Sequence, residues 1–422
     1  MYKEIITQQS RGKFIFPAYG TQSISEIEPT IKKLFSLPTN RVGLPEHFFP
    51  GRNFEQIILF VIDGLGWHDW QTHAMHFPFF KKFQEHGHVF PITSVFPSTT
   101  PAALTTIHTG LTPQEHGLLE WYTYFEEFGK VIMPMQFRSS WEEDMNSLLK
   151  EGGSIKNLYD HVTMYETLHV ADIESTMFVF KKHLPSVYND AISHGAQIYS
   201  YSDGPDLFRQ LALSLTNTQG RNLFNVYWGE IDSAGHKTGP GSSAHIKAMK
   251  EFSDIVSQHF FTKINGQKHN DVLVLLTADH GQVGLSDSVI YLEELFNFND
   301  YFQQSRYGAY IPPTGSPNDV FLHVKEDRKA ELLELLQSKL KNSAEVWDTE
   351  HAYQANLFGL NSPSTQFKKR AGNIMILPYP GNHIWFRKTA EDTITLQGLH
   401  GGLSEKEMIV PFGVIPLNLL VS

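Results

Sequence analysis

Cysteine is absent from the 422-residue chain. That excludes disulfides, thiolate-bound zinc and cysteine nucleophiles, so any metal must be held by imidazole and carboxylate groups. Positive charge is in deficit: 34 Lys and Arg stand against 45 Asp and Glu, a formal net charge of −11. The deficit argues against a non-specific grip on nucleic-acid backbones, and no basic stripe offers one locally. Long apolar runs are missing as well. The longest, IILFVI (57–62) and VLVLL (272–276), fall far short of the roughly 20 residues that a membrane helix needs. The opening MYKEIITQQSRGKFIF holds no apolar stretch of signal-peptide length. The expectation is a cytoplasmic protein with neither membrane nor nucleic-acid partner; export by another route and the oligomeric state are left open.

What is present is ordinary core material. Hydrophobic residues make up 41% of the chain and charged ones 19%, the balance of a globular protein. EQIILFVID (55–63), VFPITSV (89–95), RNLFNVYW (221–228) and DVLVLLT (271–277) read as buried strands. Helices are predicted at 25–36, 74–86, 204–218 and 243–264; in the third, Leu207, Leu211 and Leu215 recur every fourth residue. Short helices are assigned at 142–150 and 185–194. Further on, 319–325 and 371–377 read as strands, 327–341 as a helix, and the apolar tail 408–422 as strands. This order predicts an α/β fold: a doubly wound, mostly parallel sheet with helices on both faces. One domain spans 1–422 in this reading. Residues 1–53 form an N-terminal extension packed on the core, and 119–200 and 282–370 contain cap or substrate-facing insertions.

The chemistry gathers at strand ends, where open parallel sheets bind ligands. Asp63 closes the first buried strand. Asp232 and His236, one helical turn apart, follow the third. Asp279 and His280 follow the fourth, and a further His400 lies in GLHGGLS. Pro101 takes the first position of the helix-like run PAALTTIH, which places the Thr100 hydroxyl at a helix N-terminus beside free N–H groups. Singly these signals are weak. A Thr before Pro is more often a cap, an Asp-Gly a turn, and an HGG histidine a loop residue. Together, and in this order, they describe an oxygen- and imidazole-rich cluster around a nucleophile. That donor set suits zinc, and manganese or iron less well.

At these residues the sequence resembles the nucleotide pyrophosphatase/phosphodiesterase branch of the alkaline phosphatase superfamily. The carrying motifs are FVIDG (60–64), FPSTTPAALTTIHTGLTPQEHG (96–117), YWGEIDSAGHKTGP (227–240), LTADHG (276–281) and LHGG (399–402). The resemblance implies an alkaline phosphatase-like core and two zinc ions, one on Asp63, Thr100, Asp279 and His280, the other on Asp232, His236 and His400. Other divalent ions such as manganese remain open. It implies Thr100 as nucleophile, a covalent phospho-threonine, and a nucleotide or small phosphodiester as the small-molecule phosphate ester consumed. Tyr227 falls where nucleotide-cleaving relatives stack a ring on the base. Two positions depart from the pattern: Pro101 stands where relatives often carry Phe, and Glu120 and Trp121 where they carry a phosphate-binding Asn. Glu120 and Trp121 are therefore carried as substrate-binding candidates, and a divergent bacterial branch is expected. The competing readings are a phosphomonoesterase or phosphonate hydrolase of the same superfamily, and a non-catalytic metal-bound binding protein.

Overall fold

The computed structural model describes residues 1–51, 53–264, 271–286, 288–389 and 391–421. Its centre is a seven-stranded sheet. In chain order the strands are β1 (Gln56–Ile62), β2 (His88–Thr93), β3 (Glu174–Phe180), β4 (Gln197–Tyr201), β5 (Asn222–Trp228), β6 (Val272–Thr277) and β7 (Ile409–Pro416). Across the sheet they run β2-β7-β6-β1-β5-β3-β4. Only β7 is antiparallel to its neighbours; β6, β1, β5, β3 and β4 pair in parallel. The fold is thus α/β with a mixed, mostly parallel sheet.

The apolar runs explain the centre. Every residue from Ile57 to Ile62 is fully buried. Successive strand side chains point to opposite faces, so both faces of β1 are covered. On one face Phe60 meets Phe79, Phe208 and Phe252 at ring-centroid distances of 5.6, 6.2 and 6.4 Å. Those rings come from helices Pro78–His86, Gly204–Asn217 and Ser243–Val256. Each fully buried Phe or Leu contributes roughly 1.5–3 kcal/mol, which fixes the sheet and so the rim that carries the site.

Several expectations shift in detail. The third of these helices ends at Val256 and continues as a π-turn over Ser257–Phe261. The tail forms one strand, β7, and then a helix, Leu417–Val421, in place of strands throughout; Ser422 lies outside the described residues. Residues 147–151 form a 3-10 turn rather than a helix. The stretch 119–200 supplies two strands of the central sheet, β3 and β4, besides a small three-stranded sheet over 123–139. Residues 314–378 form a separate four-stranded antiparallel sheet. Helix Lys329–Leu340 supplies Leu332, Leu336 and Leu340 to its own hydrophobic core. No helix among the described residues is long and apolar enough to cross a membrane.

Candidate active site

β6, β1 and β5 lie side by side and run the same way, so the residues after their last positions meet at one rim. Asp63 follows β1 directly, and its N–H donates to the Trp228 carbonyl at the end of β5 (2.9 Å). Gly64 then turns with φ +73°; a side chain there would stand 2.9 Å from Asp232 Cα. The glycine is what lets the two ligand-bearing segments touch. Asp232 and His236 share one face of the helix Glu230–Thr238. Thr100 is the first residue of the helix Thr100–Thr109, with Thr99 as N-cap and Pro101 second, one position later than expected for the proline.

Two clusters result. His280 Nε2 faces Thr100 Oγ1 at 3.1 Å, Asp279 Oδ2 at 3.5 Å and Asp63 Oδ1 at 3.6 Å. His236 Nε2 lies 3.2 Å from Asp232 Oδ2, and His400 Nε2 lies 4.0 Å from Asp232 Oδ1. Within each set the ligand atoms of Asp63, Asp279 and His280, or of Asp232, His236 and His400, fall within 4.8 Å of one another. The clusters adjoin: the His280 and His400 rings stack at 3.7 Å. All seven expected ligands are therefore brought together; Asp63, Thr100, Asp232, His236 and His400 line a cleft of about 1590 Å³, and Asp279 and His280 lie buried behind them.

The donors fit divalent cations. Each histidine turns Nδ1 to a backbone carbonyl: Gly281 for His280 (3.1 Å), Gly398 for His236 (2.7 Å) and Ser98 for His400 (3.1 Å). A carbonyl only accepts, so the proton sits on Nδ1 and the Nε2 lone pair points inward, as a metal ligand requires. Asp63 Oδ1 and Asp279 Oδ2 are buried and find no hydrogen-bond partner among the described residues. Buried orphan carboxylate oxygens are costly unless a cation takes them.

Residues 57–403 match the family described as type I phosphodiesterase / nucleotide pyrophosphatase. The chain belongs to that family, within the alkaline phosphatase superfamily. Among its relatives is ectonucleotide pyrophosphatase/phosphodiesterase family member 3 of Rattus norvegicus, 26% identical over 284 residues, which are 64% of this chain and 30% of that one. Venom phosphodiesterase 2 of Crotalus adamanteus is 26% identical over 277 residues, 64% of this chain and 32% of the relative. The chain thus spans about a third of the length of the curated relatives it matches. The murine ectonucleotide pyrophosphatase / phosphodiesterase 5, solved in an inactive form with AMP, shares the fold at a TM-score of 0.65 and 18% identity, covering 86% of this chain and 88% of that one.

In this type I phosphodiesterase fold the surroundings of the ligands set their charge. Burial, then the charges of Asp232 and Asp279, hold the Asp63 carboxyl well above the usual range. Burial would raise Asp232 too, but the hydrogen bond and charge of His236, helped by His400 and His280, more than offset it, and Asp232 is held low. His236 rises, its burial outweighed by Asp232. Burial and the neighbouring His280 hold His400 well below its ordinary value.

Three further candidates line the cleft: Tyr227, Trp121 and Glu120. Tyr227 has a further contact. Its hydroxyl donates to Asp63 Oδ2, a candidate ligand oxygen, which fixes the ring at the edge of the cleft. Burial, then Asp63, raise its pKa, which keeps it a neutral donor. Glu120 accepts the Trp121 N–H (2.6 Å), and burial pushes its carboxyl up to about 7. Beside it Asp319 is raised by burial and by Glu120 itself. The sequence reading missed Asp319, which only the fold brings to Glu120. It also missed Gln282, whose amide reaches Asp232; its place two residues beyond His280 was the one available signal.

Proposed function

We propose that the protein hydrolyses phosphodiester or pyrophosphate bonds of a nucleotide or other small phosphate ester through a covalent phospho-threonine on Thr100. The observation that carries this reading is the position of Thr100 Oγ1, 3.1 Å from a His280 Nε2 that itself lies 3.6 and 3.5 Å from the orphan oxygens of Asp63 and Asp279. A second support is that a relative of the same fold was solved with AMP. Asp63, Thr100, Asp279 and His280 would hold one divalent ion and Asp232, His236 and His400 the other, zinc suiting these donors best. Such ions supply charge neutralisation and lower the pKa of a bound hydroxyl or water.

The chain's own part is positioning. The first turn of its helix fixes Thr100 on one side of the phosphoryl group and aims backbone N–H dipoles at the gathering negative charge. Thr100 Oγ gives up its proton and forms a bond to phosphorus while the bond to the leaving oxygen breaks in line with it and that oxygen takes up a proton. Water then attacks phosphorus, the Oγ–P bond breaks, and the threonine is restored. The cleft walls hold the remainder of the ester.

The test is Thr100→Ala. Turnover of a bis-p-nitrophenyl phosphodiester should fall at least about 10³-fold, the scale of losing a catalytic nucleophile, while the melting curve and bound metal survive. Native-level turnover in this variant would remove Thr100 from the reaction. Comparing p-nitrophenyl monoester with diester separates the proposed activity from a phosphomonoesterase.

A further inference from the structure

The three aspartates of the site obey one rule. Each has an oxygen fixed by a neutral donor. Asp279 Oδ1 accepts the backbone N–H groups of His280 (2.9 Å) and Gly64 (3.2 Å). Asp63 Oδ2 accepts the Tyr227 hydroxyl. Asp232 Oδ1 accepts the side-chain amide of Gln282. The partner oxygen is then turned toward the cluster: Asp279 Oδ2 and Asp63 Oδ1 toward His280, Asp232 Oδ2 toward His236. A neutral donor steers a carboxylate without removing the charge that a cation needs.

We propose that Gln282 is a positioning residue for the second cation site. It fixes the rotation of Asp232, as Tyr227 fixes that of Asp63 for the first site. The amide's orientation is set by chemistry: Nε2 also meets the Asp232 carbonyl at 3.1 Å, and both partners only accept. Gln282 is 2% exposed, so it is held in this place. The strand just beyond it, Val283–Gly284, pairs with Gly398–Leu399, which leads into His400. The stretch from His280 to Gly284 therefore reaches Asp232 through the Gln282 amide and the His400 segment through its backbone. Room for it is made at Gly235, where a Cβ would stand 1.8 Å from Gln282 Oε1. The glycine between Asp232 and His236 thus keeps a clear path for the amide, in addition to its place in the helix.

This inference rests on the two-cation reading above, and the experiment keeps the two apart. The full chain is dialysed against zinc buffered by graded chelator, and bound zinc is counted for the native protein, Gln282→Met, Tyr227→Phe and the double variant. The native protein should hold two ions. Gln282→Met keeps the length and loses the donor; it should lose one ion at free zinc roughly 10–100-fold above the level where the native protein loses it, and keep the other at native affinity. Tyr227→Phe should lose one ion likewise, and the double variant both. Gly235→Ala, which pushes the amide aside, should copy Gln282→Met and carries the same readout should that variant not fold. Native affinity for both ions in Gln282→Met, or joint loss of both, overturns the inference alone. A native protein that binds no divalent cation overturns the two-cation reading with it.

Discussion

Gly64 shows how much of the site rests on one missing side chain. Its φ of +73° lies where L residues with a Cβ cost about 1–2 kcal/mol. Its absent Cβ would also press on both Cα and Cβ of Asp232 at 2.9 Å. Alanine here cannot be absorbed by a flexible tip, because the obstacle is backbone. Gly64→Ala should lower stability by about 2–4 kcal/mol from strain and overpacking and should separate the two ligand sets. The check pairs a urea-unfolding midpoint with zinc stoichiometry. A variant that binds two ions as tightly as the native protein would show that the Asp63 and Asp232 segments need not touch.

Elements made the site readable, and they also set the limit of that reading. A strand buried on both faces is a continuous apolar run, and a run that stops at Asp marks both the strand end and a candidate ligand. This is why Asp63, Asp279 and, through β5, Asp232 stood out. β3 (ESTMFVF) and the edge strand β4 (QIYSY) leave several residues in or near solvent, so neither gives such a run. The short tail LNLLV is equally compatible with helix or strand, and its neighbours decided for helix. Gln282 and Asp319 act through partners 50 and 199 positions away, Asp232 and Glu120, which no local pattern encodes. The helix Thr100–Thr109 and the turn after it carry a prediction of their own. His108, whose Nδ1 faces the Tyr165 hydroxyl at 2.7 Å, and His116, whose Nε2 faces Thr106 Oγ1 at 3.1 Å, are both buried. Burial pushes both imidazoles down to about 3. In the unfolded chain they titrate near about 6.5. Below that pH the unfolded state takes up protons that the folded state refuses, so stability falls as pH falls from about 6.5 toward 3. Each should remove about 2 kcal/mol by pH 5. His108→Gln, which cannot titrate, should flatten the loss between pH 7 and pH 5 by about that amount in urea midpoints. An unchanged slope would mean that other groups govern the acid limb.

At the scale of the whole molecule, the site joins residues from 63 to 400 and sits where three neighbouring strands end. The large core holds those strands from within; at the rim, three aspartates from separate segments crowd together. Among the described residues lining the cleft the lysines are Lys237, Lys247 and Lys388, none of which is ion-paired to Asp63, Asp232 or Asp279; the basic group that meets an aspartate most closely is His236, beside Asp232. Beyond His236 the chain offers these carboxylates little counter-charge, which favours cations from solution, and the chain's net −11 works in the same direction. Ions that bind only the folded state add RT ln(1 + [L]/Kd), about 4 kcal/mol for a site at a thousand times its Kd. Two such sites would tie the end of β1 to the segments after β5 and β6 and to the His400 loop, so their removal should be felt globally and not as local fraying. EDTA treatment followed by removal of the chelate should lower the melting temperature by roughly 5–15 °C, the scale of several kcal/mol in a chain of this size. Readdition of two equivalents of zinc should restore it, with most of the recovery complete at that stoichiometry. Asp63→Asn combined with Asp232→Asn relieves the crowding without a cation, so in that variant chelator should no longer shift the transition. A chelator shift of native size in the double variant would place the stabilising ions somewhere other than this rim.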